Sequence, residues 1–316
     1  MKDIKIYVML LGFSVFTGAT FQLAKYTVDY LSPSSAAAWR FGAAALIMVI
    51  ILLTTEGIKK EILKTNLLWY IILGIVGIFG FNGLFFAGLK YTSPVNGALI
   101  MGLNPLLTTI IARIIMKEAI SKKQAIGILF AFFGVLLVIT HGSFEIIKNL
   151  SVSVGDCLIL GGNICWALYG VLARRFIKGG TPISTTSYTM IIGAFALIIV
   201  SVFSSKPVSI QDIPMQAWGA LLFMAVFTSV LGYLWWNKGM KELGSNKTAI
   251  FFNIVPVVAM IISVMGGTPI TLLEMIGAVC VIIGVFLSTG VIRISFAEVT
   301  KGSTAIRNRK VKVMKR

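Results

Sequence analysis

Thr20, Gln22, Asn82, Asn163 and Tyr233 interrupt long apolar stretches of the chain. A polar group in such surroundings either bonds a neighbouring helix or lines a cavity. In a cavity, these five would supply the few donors and acceptors that orient a small molecule against an apolar wall. Asn104 directly precedes Pro105, and Asn253 stands three residues before Pro256. Each proline removes a backbone donor and crowds the preceding turn, so a kink is expected at both. The two amides could bond the freed carbonyls or face a cavity. Trp166 and Tyr169 are three residues apart, as are Tyr233 and Trp236. That spacing puts each pair on one helix face. Aromatic faces across a cavity suit a substrate with planar or apolar parts; Trp235 and Trp236 fit an interfacial belt equally well.

Arg40 lies seven residues beyond Pro33, on the order of 10 Å into a helix. A guanidinium at that depth needs a partner, water or a route to the interface. One role is a bond to loop carbonyls or to Asp156. The other is an anchor for a substrate carboxylate, which matches the planar fork of donors.

Several chemistries are missing. Cys157, Cys165 and Cys280 sit in apolar runs without metal-ligand spacing and read as buried packing residues. With His141 the lone histidine, neither a metal centre nor a cofactor is expected. Glu118, Asp156 and Glu274 mark the ends of apolar runs, so a proton relay through a buried acid is disfavoured. Exchange or facilitated efflux fits better. An integral membrane enzyme would need convergent histidines or acids near a membrane face. That reading and a channel are the rivals to a carrier. No Walker loop occurs, so an ATP-driven pump would require another subunit.

The elements that hold these residues follow from composition. Of 316 residues, 57% are hydrophobic and 12% charged, and mean hydropathy is +0.94. That excludes an ordinary soluble enzyme of this length. Ten apolar runs can be marked, near 5–24, 35–54, 67–89, 95–116, 123–141, 153–174, 184–203, 217–237, 247–266 and 272–291. Each approaches the roughly 20 residues that a membrane-spanning helix needs. An all-α, ten-span membrane protein is expected. The first run reads as a genuine span, not a cleaved signal, because no small-residue cleavage site follows it.

Net charge is +17. Without a nucleic-acid-binding module, the surplus points to the loops of a membrane protein and not to nucleic acid. Counted by alternate loops, one side collects 23 basic residues and the other 4. Both termini are therefore expected on the cytoplasmic side of the cell membrane. The basic tail 292–316 reads as a disordered segment near anionic lipid headgroups. Expected partners are a small-molecule substrate and membrane lipid; oligomeric state stays open.

The chain also repeats itself. Lys25 and Ser32-Pro33 match Arg174 and Thr181-Pro182 at an offset of 149. Gly88-Leu89-Lys90, Ala98 and Pro105 match Gly239-Met240-Lys241, Ala249 and Pro256 at 151. Ile126-Gly127 and Gly134 match Ile276-Gly277 and Gly284 at 150. A five-span unit is duplicated, about 1–141 and 152–291. Five is odd, so the second copy enters the membrane from the opposite side, as in many secondary transporters.

In this frame the chain resembles the EamA type of the drug/metabolite transporter superfamily. The resemblance is carried by Thr17-Gly18-Ala19-Thr20-Phe21, Trp39-Arg40-Phe41, Ala87-Gly88-Leu89-Lys90-Tyr91, Asn104-Pro105, Glu118, Gly155-Asp156, Trp166-Ala167-Leu168-Tyr169 and Ala173-Arg174-Arg175. It covers about 5–291. The chain departs from it at Thr17, where the family often has Trp, and at Pro269, where the second copy lacks the acid matching Glu118. The resemblance implies a carrier of small metabolites, often amino acids or related compounds, working by alternating access and directed outward.

Overall fold

The computed structural model describes residues 2–92, 94–139, 153–204, 210–265 and 272–289. His141, Lys148, Lys206, Pro269 and the tail 292–316 lie outside them, as does the side chain of Glu274. Every element among the described residues is helical. In order these are α1 (Lys2–Val28), α2 (Pro33–Thr55), α3 (Lys60–Leu73), a π-helical segment (Gly74–Gly80), α4 (Phe81–Tyr91), α5 (Pro94–Gly102), α6 (Asn104–Met116) and α7 (Lys122–Ile139). Then come α8 (Val154–Phe176), α9 (Pro182–Ser204), a 3-10 turn (Ile210–Asp212), α10 (Met215–Phe223) and a second π-helical segment (Met224–Gly232). They are followed by α11 (Tyr233–Glu242), α12 (Ser245–Ala249), a 3-10 turn (Ile250–Asn253), α13 (Ile254–Met265) and α14 (Leu272–Thr289).

Local chemistry starts the helices where the sequence suggests. Ser32 caps α2 by accepting from Ser35 N at 3.1 Å, with Pro33 in the first turn. Thr181 does the same for α9 through Ser184 N at 2.9 Å, ahead of Pro182. Ser153 and Asp156 form a capping box on α8. Seven continuous helical stretches among the described residues are long and apolar enough to cross a membrane, and two shorter apolar helices, Ile100–Met116 and Met275–Leu287, accompany them. The protein is a multi-pass, membrane-embedded helical bundle.

Packing follows small residues. α7 lies along α14, and α2 along α9. An ideal Cβ on Gly134 would fall 2.6 Å from Gly277 O, and one on Gly284 would fall 2.7 Å from Gly127 O. The two backbones therefore touch, which suits association in lipid by van der Waals contact. Glycines recur every three residues at Gly74, Gly77, Gly80 and Gly83; Gly74 and Gly77 face Ile192 and Tyr169, whereas nothing lies within 4 Å of a Cβ on Gly83. α1 packs on the second π segment and α13, while α8 packs on α4 and α6. Cys157 is exposed, and Cys165 and Cys280 are half-buried. Their expected burial is corrected: the outer face of a helix in lipid accepts a thiol as readily as the core does.

The loops gather into two layers. At one end Asn66 Nδ2 donates to Lys178 O at 2.8 Å, Thr181 Oγ1 to Glu56 Oε2 at 2.9 Å, and Lys241 Nζ to Gly180 O at 2.8 Å. Arg174 pairs with Glu118 in the same layer. At the other end Lys25 Nζ donates to Leu89 O at 2.9 Å and Thr92 Oγ1 to Asp156 Oδ1 at 2.5 Å.

Candidate functional site

A cavity lies where α1, α2, α4, α8 and the second π segment meet. It holds about 380 Å³ of empty space, of which about 20 Å³ admits the centre of a water molecule. That is room for roughly one water. Phe13, Thr17, Thr20 and Phe21 of α1 line it, with Arg40, Phe81, Asn82, Phe85, Met101, Trp166, Thr228, Tyr233 and Phe252.

Polar bonds tie the two sides of this cavity together. Thr20 Oγ1 and Thr228 Oγ1 are 2.8 Å apart. Asn82 Nδ2 donates to Tyr233 Oη at 2.9 Å and to Ile78 O at 2.9 Å, which spends both its hydrogens. Arg40 is 3% exposed and donates from Nε to Ser229 Oγ at 2.9 Å. Its terminal Nη groups have no hydrogen-bond partner among the described residues. Phe41 and Phe86 flank the guanidinium, with Cζ 4.9 and 5.9 Å from their ring centroids. The expected bond to Asp156 is not made: Asp156 is engaged at the start of α8 by Thr92 and Ser153. Trp166 is the hub of the wall, edge-on to Tyr233 at 4.7 Å and tilted against Phe81 at 5.0 Å.

The remaining expected site residues lie elsewhere. Tyr169 and Trp236 are fully buried behind the cavity. Tyr169 Oη accepts from Asn237 Nδ2 at 2.7 Å, and Asn237 also donates to Thr186 Oγ1 at 2.9 Å. Past this layer, a second cavity with about 830 Å³ of empty space is lined by Arg174, Gly180, Thr185, Asn237, Met240 and Lys241, at the end richer in basic loops. Asn104 and Asn163 mend the break before Pro105, away from the cavity lining. Asn104 Nδ2 donates to Asn163 Oδ1 at 2.7 Å, and Asn163 Nδ2 donates to Ile100 O at 2.6 Å. Asn253 is buried beside Phe252, and neither of its amide atoms has a partner among the described residues. Gln22 is exposed on the outside of α1. Phe21 takes the cavity face, and the next residue points about 100° further round the helix.

The profile of the EamA-like transporter family matches residues 4–140 and again 153–290. The chain belongs to that family. An uncharacterized transporter of Bacillus subtilis, YyaM, is 69% identical over 294 residues, covering 93% of this chain and 96% of that protein. An uncharacterized transporter of Archaeoglobus fulgidus is 26% identical over 287 residues, covering 90% and 98%. A solved crystal structure shares the fold with a TM-score of 0.73 at 18% identity, over 90% of this chain and 97% of the other.

Lining residues of this EamA-like chain also fall into equivalent pairs. Thr17 and Trp166 differ by 149 positions; Asn82 and Tyr233, and Met101 and Phe252, differ by 151. Asn82 and Tyr233 bond one another, so equivalent residues meet directly between the halves. Phe13, Thr17, Phe21, Phe81, Phe85, Met101, Thr228, Ser229 and Phe252 escaped the reading of residue types. The repeat offsets could have found Thr17 from Trp166. The aromatic and aliphatic members gave no signal, since apolar residues fill every span.

Proposed function

We propose that the protein is a secondary transporter with ten spans in two inverted five-helix repeats. It carries a small organic metabolite across the cell membrane by alternating access. The observation that carries this reading is the central cavity, whose wall takes Thr20, Arg40 and Asn82 from one half and Trp166, Thr228 and Tyr233 from the other. A relative tilt of the halves must open or close such a wall.

Helix pairing supports the inverted repeat. Exchanging the halves turns the α1 contacts with the second π segment, α11 and α13 into those of α8 with the first π segment, α4 and α6, and it leaves α2–α9 and α7–α14 unchanged. The layer of Tyr169, Trp236 and Asn237 stands between the central cavity and the second cavity, which suits a gate toward the basic, cytoplasmic end. Coupling is by exchange or facilitated efflux, as no carboxylate among the described side chains lies mid-span. The match to the EamA-like transporter family and a relative named as a transporter favour a carrier over a membrane enzyme.

Metabolite pools inside and outside cells with and without the protein would identify shifted compounds, and counterflow of those compounds into proteoliposomes tests transport. Absence of counterflow for every shifted compound would overturn the reading. In intact cells, a tag near Lys148 should be labelled from outside while one after Arg316 is protected. The reverse pattern would invert the orientation.

A further inference from the structure

We propose that the cargo is an organic acid of net negative charge on a flat apolar body, with its carboxylate held by Arg40. For transport this rests on the reading above; for binding it rests on the cavity alone. Arg40 is a buried cation in a spanning helix, and Ser229 engages only its Nε. No carboxylate among the described residues pairs with it. Buried charges are ordinarily paired, because an ion stripped of water needs compensation. A ligand carboxylate would supply it in the planar geometry that guanidinium prefers.

The rest of the lining also favours an anion. Trp166 Nε1 is buried without an acceptor among the described residues. Tyr233 Oη accepts from Asn82 and keeps its own hydrogen to donate. The open acceptors are the Asn82 Oδ1 carbonyl and the Thr17 hydroxyl, which can equally donate, and no acidic side chain among the described residues lines the cavity. An ammonium would therefore face a guanidinium at close range with no carboxylate in the described lining to offset it. This separates an organic acid from a zwitterionic amino acid. Phe13, Phe81 and Phe252 surround Trp166 with ring centroids 5.0 to 6.2 Å away, which is a wall for a flat apolar body. The small free volume means that the cavity widens when it loads.

The test uses purified full-length protein and matched probes: benzoate, phenylacetate and hexanoate, their neutral amides, phenylalanine and phenethylamine. Binding is read by tryptophan fluorescence and by the thermal midpoint. At least one carboxylate should bind, with its amide, phenylalanine and phenethylamine at least tenfold weaker. Arg40→Gln should lose at least tenfold for the acid and leave amide binding unchanged. If that variant does not fold, the acid-to-amide comparison on the wild type decides alone. An amide or phenylalanine equal to its acid would overturn the proposal, as would no carboxylate binding into the millimolar range. Acid-selective binding without counterflow would sink transport and leave the site standing. Counterflow of zwitterions unaffected by Arg40→Gln would do the reverse.

Discussion

The two halves break a helix at the same place and repair it differently. Between α5 and α6, Asn163 reaches Ile100 O and is itself met by Asn104. Between α12 and α13, Ser14 reaches Phe251 O at 2.8 Å. Ser14 precedes Asn163 by 149 positions and Ile100 precedes Phe251 by 151, so one repair is the counterpart of the other. Asn104, however, corresponds to Val255, and Arg40 corresponds to Thr189. The backbone frame is shared while the polar side chains have parted. A duplicated scaffold can thus concentrate charge in one half, and the cavity inherits that asymmetry as Arg40.

The largest effect should come from testing the shared frame. Gly134→Val and Gly284→Val each force a side chain into a backbone 2.6 Å from the Cβ position. Overpacking of that kind typically costs about 1–3 kcal/mol, and more where backbone cannot yield. Both variants should lower yield and thermal midpoint to a similar degree. A large loss in one and none in the other would mean that the α7–α14 contact is not reciprocal.

The two repairs can be interchanged. Asn104→Val copies the second half but leaves Asn163 Oδ1 buried and unpaired, at a cost of about 1–3 kcal/mol. Adding Asn163→Ser copies both members and removes the orphaned amide. Part of the loss should return, giving a coupling of about 0.5 kcal/mol or more in a double-mutant cycle. Simple additivity of the two losses would break the equivalence between the repairs.

The helical, membrane-embedded character and the family pattern that matches twice were legible, because apolar length and paired offsets survive in composition and spacing. Which way a side chain points was less legible. A helix in lipid is apolar on its outer face as well as its inner one, so Gln22 and Thr20 looked alike until α1 was seen against its neighbours. The π segments add a further obstacle. Over Gly74–Gly80 the glycines recur every three residues, yet Gly74 and Gly77 meet α9 and α8 while Gly83 meets nothing within 4 Å. Period counting assumes about 3.6 residues per turn and loses phase in a π stretch. Asn104 and Asn163 carried the right signal with two readings, and only their mutual contact separates repair from lining.

The smallest effect, and the sharpest on the unlike part of the comparison, concerns Asn253. Its amide is 1% exposed, and both polar atoms lack partners among the described residues. Leaving such groups unpaired costs about 1–3 kcal/mol, whereas an apolar residue of similar shape can be neutral or stabilising. Asn253→Leu should therefore hold or raise the thermal midpoint. Asn163→Leu, which strips a satisfied network from the other break, should lower it. If the Asn253 amide finds partners when the halves tilt, the same substitution should slow counterflow while stability rises. A fall in the midpoint for Asn253→Leu would show that this amide is bonded in the resting protein, and the two breaks would then be alike in kind.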